Sequence, residues 1–473
     1  MKNYTKYFAF LFISMAFLAG CSKDDDLYVP DELRINDFVW KGMNQYYLWQ
    51  NDVPNLNDAR FGNQNDLNGF LATFANPSTL FQSLRVAATT DKYSVIYSDY
   101  SLLEGILSGT TKNNGIDYSL KYKSGSTTDL FGFVNYVLPN SDAATKNVQR
   151  GQIFYAINGT PLTVSNYRSL LANDTYTLNF ADFNNGAVTP NGQSVQLTKA
   201  VLSENPVYLN TVINQGNKRI GYLMYNGFYA GYENELNAAF GQLKSQNITH
   251  LILDLRYNSG GSIATSARLA SMITGQFAGQ LYAKQQWNGK MQNYWLQNNP
   301  SQLNTNFTSS LGNGSAINSL FLTKLYVLTT KGTASASELV INGLKPYIQV
   351  VQIGDVTIGK NVGSVTLYDS ANFGSAGRNP SHKYAMQPIV LKTINAAGFG
   401  DYQMGLQPTV FLTEDYGNAG ILGNITEPLL ETTLNLIMST GKPSGFVVHA
   451  AKQFETISNV LEIENEMFID INK

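Results

Sequence analysis

Among 473 residues there is one cysteine, Cys21. That excludes a disulfide framework, a thiolate zinc site and a Cys-x-x-Cys redox pair. Histidine is nearly as scarce. His250, His382 and His449 are far apart and no His-Glu-x-x-His occurs, so zinc and Ser-His-Asp chemistry have few candidates. Charged residues make up only 14% and the formal net charge is −2, which leaves no basic footprint for nucleic acid. After the first segment no apolar run reaches the roughly eighteen residues of a spanning helix. Apolar residues are abundant, at 43% with 28 Tyr and 25 Phe, so the chain is globular and can fill sizeable cores. Its length suits two to four domains. No cofactor or metal is expected.

Residues 1–20 read as a targeting segment. Lys2 and Lys6 precede the apolar run Tyr7 to Gly20, which is short for a membrane span. Its loss removes two positive charges and no acid, shifting the net charge to −4. The run ends in LAGC, Leu18 to Cys21, which resembles a bacterial lipobox, where cleavage precedes a cysteine that becomes lipidated. An ordinary signal peptide with a chance cysteine is the blander alternative. SKDDD, Ser22 to Asp26, resembles the export tag of surface-exposed lipoproteins, or else is a solvated tether spanning 21–30. The expectation is a cell-envelope lipoprotein anchored in the outer membrane through Cys21 and exposed at the surface.

The rest divides by pattern. Residues 31–100 hold helical spacings (Ile35, Val39, Met43 and Tyr46; Phe70, Leu71 and Phe74; Leu80, Phe81 and Leu84), with Asp31 a candidate cap. Their aromatics read as core. From 101 to 204 short alternating strands are punctuated by Gly and Asn, with an Asn158-Gly159 tight turn. From 205 to 443 apolar strands alternate with helices, the signature of an α/β layer structure with a partly parallel sheet. The polar stretch 285–307 reads as an excursion or hairpin. The tail, 444–473, ends in an acidic run with no assigned role. The expected fold class is a mixed α+β and α/β multidomain chain.

Two strand-to-helix junctions stand out. One is DLRYNSGGS, Asp254 to Ser262; the other is TASASELV, Thr333 to Val340. Each puts small residues at the carboxyl end of a buried strand, where open α/β sheets keep their sites and where helix N–H groups stabilise an oxyanion. Ser335-Ala336-Ser337-Glu338 also fits a capping box, S-x-x-E. Taken alone, capping is the better reading. Ser337 and Ser259 are weaker nucleophile candidates. Asp254 and Arg256 can be read as ties at the sheet end.

Those junctions resemble the C-terminal processing (tail-specific) proteases, serine peptidases with a Ser-Lys dyad. The family's DLRNNPGG stands against DLRYNSGG here, its SASASE against TASASE, and its lysine follows the serine by 25 residues, which here gives Lys360 in QIGDVTIGKN. RGQIFYAINGTPL, Arg150 to Leu162, and the lead-in DKYSVIYSDY, Asp91 to Tyr100, match in order. The resemblance spans roughly residues 31–440. It implies a PDZ-like β-rich domain at 101–204 and a crotonase-like protease core at 205–443. It implies Ser335 as nucleophile, Lys360 as general base, and an oxyanion hole from the backbone N–H of Ala336 with that of Gly260 or Gly261. The PDZ would hold a C-terminal carboxylate near Gly115 and Ile116 and take the peptide as an added strand. Many members place a lysine-orienting glutamine four residues after the lysine. Ser364 stands there, with Gln349 and Gln352 as substitutes.

A lysine acts as base only when neutral, so its pKa of about 10.4 must fall by roughly three units. Burial away from carboxylates does this. Val356, Ile358, Gly359 and Val362 provide an apolar setting, provided Asp355 points elsewhere. GDVTIGKN also fits G-x4-G-K, but Asn361 replaces the magnesium-binding Ser or Thr and a strand follows, which argues against a nucleotide site. The expected activity is endopeptidase cleavage of polypeptide substrates met through their C-terminal ends. The alternatives are a non-catalytic peptide-binding surface lipoprotein and, since fold alone does not assign function, an acyl-transfer or isomerase enzyme.

Overall fold

The computed structural model describes residues 28–439, 454–456 and 467–469. Cys21, the targeting segment, His449 and most of the tail lie outside these residues.

The core is a six-stranded sheet in the order Val207–Gln215, Lys218–Tyr225, His250–Asp254, Lys324–Thr329, Gln349–Gly354, Val410–Phe411. The first two strands form an antiparallel hairpin, and all later neighbours are parallel. Side chains alternate across a strand, and that period sorts the core into two layers. Leu223, Tyr225, Leu251, Leu253, Leu325 and Val327 face the helices Glu233–Ser245, Ile263–Thr274 and Ala336–Leu344. Tyr222, Met224, Ile252, Tyr326, Leu328 and Ile353 face the helix Pro428–Met438. Both faces are covered, so the strands read as continuous apolar runs.

A second six-stranded sheet runs Gly261–Ser262, Met467–Phe468, Val362–Ser364, Ile389–Asn395, Leu281–Trp287, Asn304–Asn306. The polar stretch expected as a hairpin is one: Leu281–Trp287 pairs antiparallel with Asn304–Asn306, and the helix Gly289–Asn298 fills its crown.

The N-terminal region is helical as expected, with Arg34–Tyr46, Gln64–Leu71 and Pro77–Ser83 packed into the main core. Asn63 and Asn76 cap the second and third helices. Asp31 does not cap the first; it opens a 3-10 turn and pairs with Arg34 at 2.7 Å. The helix Tyr100–Leu107, capped by Asp99, replaces a stretch expected to be strand.

The β-rich module has the strand order Ile116–Tyr122, Leu130–Val137, Ile153–Ile157, Thr175–Asn184, Ala187–Thr198. Asn158 and Gly159 both take positive φ, 50° and 77°, as a type I′ turn requires. Thr110–Asn113 pairs with Ala200–Ser203, bringing the entry and exit of the module together.

Candidate active site

Strand Lys324–Thr329 ends in a turn that delivers Ser335 to the start of helix Ala336–Leu344. Ser335 has φ 63° and ψ −118°, a backbone conformation costly for a side chain with a Cβ. It is fully buried, and its Oγ has no hydrogen-bond partner. The hydroxyl therefore does not cap its own helix, and no described histidine pairs with it.

Glu338 does what the capping box asks of its second member, and more. Its Oε2 accepts from the N–H of Ser335 at 2.7 Å and from the N–H of Lys360 at 2.8 Å. Its Oε1 accepts from the N–H of Gly359 at 2.7 Å and from Thr357 Oγ1 at 2.5 Å. One carboxylate oxygen thus binds the two residues expected to form the dyad. Burial raises the pKa of Glu338, outweighing these four donors. Sequence reading assigned this glutamate only to a cap and expected no carboxylate beside the lysine; three of its four donors come from a loop some twenty residues on. Gly359 is required there: its φ is 93°, and a Cβ would sit 2.4 Å from Gln403 O.

Lys360 is fully buried, with its Nζ 4.5 Å from the centre of the Tyr93 ring. Tyr93 lies in the DKYSV lead-in, which carried no functional assignment. Asp355 does point elsewhere, accepting from the N–H of Val356 at 2.7 Å. Gln352 does not hold the lysine: its amide N–H groups donate to Thr329 Oγ1 and Leu406 O, both at 3.1 Å, and its Oε1 accepts from none of the described residues. Gln349 is exposed. Ser364 Oγ donates to Met467 O at 3.1 Å.

The first junction is built from charge. Arg256, fully buried, meets Asp254 at 2.8 Å, Glu427 at 2.7 Å and Glu414 at 3.2 Å. Tyr222 Oη donates to Asp254 Oδ2 at 2.7 Å. Glu414 also accepts from Arg150 at 2.7 Å and from Tyr257 Oη at 2.5 Å. Burial alone would raise Glu414, but Arg150 and Arg256 bring it down to about 2. Asp254 and Arg256 are ties at the sheet end, within a network larger than the motif suggests.

Asn258 joins the two junctions. Its carbonyl accepts from Ala334 N–H at 3.2 Å and Ser337 Oγ at 3.0 Å, which removes Ser337 as a nucleophile. Its Oδ1 accepts from Gly260 N–H at 2.9 Å. Of the two glycines expected at an oxyanion hole, Gly260 has its amide engaged by Asn258. Gly261 has φ 133°, and a Cβ would lie 2.5 Å from Phe228 O. The N–H of Ala336 opens a helix and has no intrahelical acceptor.

In the β-rich module the amides of Gly115 and Ile116 donate to Asn113 Oδ1 at 2.8 Å and Asn114 Oδ1 at 3.3 Å. In this structure that turn is closed on itself.

The sequence pattern "Peptidase family S41" matches residues 219–385, and "Peptidase S41 N-terminal domain" matches residues 34–95. A chloroplastic C-terminal processing peptidase of Tetradesmus obliquus is 24% identical over 359 residues, 73% of this chain and 72% of its own length. A carboxyl-terminal-processing protease of Picosynechococcus is 25% identical over 171 residues, so the chain spans about 36% of that relative. The crystal structure of a Bacteroides fragilis protein assigned as an S41 protease superposes with a TM-score of 0.65. It is 28% identical, covering 87% of this chain and 98% of the other.

Proposed function

The chain belongs to peptidase family S41 and is a serine-type peptidase, and from that premise we propose an endopeptidase in which Ser335 is the nucleophile and Lys360 the general base. The observation that carries this reading is the shared carboxylate oxygen of Glu338, which holds the backbone of both residues. Neutral Lys360 Nζ takes the Ser335 proton as Oγ adds to the scissile carbonyl. The oxyanion is held by the N–H groups of Ala336 and Gly261. The tetrahedral adduct collapses, breaking the C–N bond, and the leaving amine takes the proton from Lys360. Water, deprotonated by the same lysine, then releases the acyl group and restores Ser335.

The β-rich module is read as a PDZ domain that receives the substrate's C-terminal end on strand Ile116–Tyr122, an outer strand of its sheet. We place the chain on the outer membrane through lipid at Cys21, supported by LAGC and the acidic tether. Labelled palmitate incorporated by the wild type and lost in Cys21→Ala is the test of that anchor.

The deciding experiment incubates wild type, Ser335→Ala and Lys360→Ala with peptides bearing free apolar C-termini. Cleavage by wild type alone is expected. Equal cleavage by Ser335→Ala overturns the assignment. The second reading, a peptide-binding protein without turnover, is favoured by the unpartnered Ser335 Oγ and by serine at position 364. It predicts binding by all three proteins and cleavage by none.

A further inference from the structure

Two short pieces of the tail lie against the two surfaces that a peptidase needs open. Residues 454–456 run along the outer edge of strand Ile116–Tyr122. Lys121 bridges antiparallel to Thr456, the N–H of Tyr122 donates to Glu455 O at 3.0 Å, and Lys121 Nζ donates to Thr456 Oγ1 at 2.6 Å. The Phe454 ring packs against Phe131, Phe183 and Tyr416, at 5.4, 5.6 and 5.9 Å between centroids. This is the edge to which an extended peptide would add.

The second piece, Met467–Phe468, is a strand between the glycine junction and the strand that follows Lys360. Gly261 pairs with Met467, Ser262 with Phe468, and Ser364 with Phe468, all parallel. Met467 is fully buried. Ser364 binds the segment twice: its Oγ donates to Met467 O, and its carbonyl accepts from the N–H of Ile469 at 3.1 Å.

The position against Gly261 matters most. On its other side Gly261 bridges Phe228: the N–H of Phe228 donates to Gly260 O at 2.8 Å, and the N–H of Ser262 to Phe228 O at 2.9 Å. Peptide groups alternate along a strand. The N–H and C=O of Gly261 itself therefore face the opposite edge, where Met467 lies. The tail strand covers the amide assigned to the oxyanion hole, and it is bound by the residue standing where a glutamine is usual.

We propose that the tail is a self-occupant of the peptidase, filling both the peptide-accepting edge of the β-rich module and the strand slot beside Gly261, so that it must leave before a polypeptide enters. This rests on the peptidase reading above. Among the described residues the slot is held by two strand residues, one buried side chain and two hydrogen bonds with Ser364. A longer substrate strand can displace it, with binding at one edge shifting the population open at the other.

A full chain carrying Cys21→Ser, Ser262→Cys and Phe468→Cys tests this directly. The new cysteines replace residues paired on neighbouring strands, a separation suited to a disulfide. The oxidised protein is expected to hydrolyse peptide at least about tenfold more slowly than the same sample after reduction. Equal rates overturn the proposal. In a second variant, Met467→Asp buries an unpaired carboxylate in the slot and should raise hydrolysis about tenfold. A fall in rate with unchanged melting overturns the proposal, because the strand would then be a permanent part of the sheet. If that variant unfolds, the disulfide pair decides. The synthetic peptide 463–473, added to Met467→Asp with Ser335→Ala, should bind by fluorescence anisotropy, and absence of binding overturns the proposal. Binding there, with no cleavage by any variant, leaves the self-occupancy standing and removes the peptidase reading instead.

Discussion

The two strand-to-helix junctions meeting at Ser335 are held in opposite ways. Around Asp254–Ser262, Arg256 and Arg150 pair with Asp254, Glu414 and Glu427 in a buried cluster. Around Thr333–Glu338 a single carboxylate gathers four uncharged donors under a strained serine. Paired charge fixes a loop rigidly, and removing one member leaves the others buried and uncompensated. Hydrogen bonds converging on one acceptor fix a loop too, and here they come from three backbone N–H groups and one hydroxyl. The rigid junction suits the fixed oxyanion donor proposed at Gly261; the lighter one suits the proposed nucleophile and base.

That contrast can be broken in order of effect. Ser335→Ala and Lys360→Ala should each lower kcat by at least roughly a thousandfold, with melting nearly unchanged for Ser335→Ala, measured by peptide hydrolysis and thermal scans. Arg256→Met should cost about 3–5 kcal/mol in urea unfolding, because three acids lose their common partner. Glu338→Gln puts an amide NH2 among four donors. A loss of about 1–3 kcal/mol is expected, with kcat falling more than KM rises. A similar stability loss with kcat intact would show that Glu338 only holds the fold.

Acid should separate the junctions with the smallest effect. Glu414, lowered to about 2 in the folded chain, contributes stability that is present above its ordinary value near 4.5 and lost as pH falls from there toward 2. Glu338 is raised, so its sign is opposite: stability is lost as pH rises from its ordinary value through its folded one. Melting curves across pH 2 to 8 should lose the acid limb in Glu414→Gln and the upper limb in Glu338→Gln. The same pH profile in both variants would end the distinction.

Much of this was legible in the sequence because the signals were local. Apolar strands buried on both faces and the Asn158-Gly159 turn need only neighbouring residues to be read, whereas Ser335 and Lys360, 25 positions apart, were paired only through the family resemblance. The helix Tyr100–Leu107 escaped because eight residues carry little periodicity, and its signal is the Asp99 cap. Tyr93 over Lys360, Asn258 joining the junctions, and Arg150 on Glu414, 264 positions apart, are tertiary meetings that no spacing announces. Ser364 was noticed as a departure from the family, but its partner, Met467, lies 103 residues downstream.

Arg150 has a consequence for how the chain can be taken apart. At the backbone the β-rich module is a cassette, with its ends zipped side by side at Thr110–Asn113 and Ala200–Ser203. In charge it is not, because Arg150 supplies half the cations that keep Glu414 ionised in the core. Excising the cassette would leave that acid beneath the glycine junction with Arg256 as its one cation among the described residues. The two units are separable on paper but share one electrostatic keystone, so grafts or deletions of the module should carry Glu414→Gln with them.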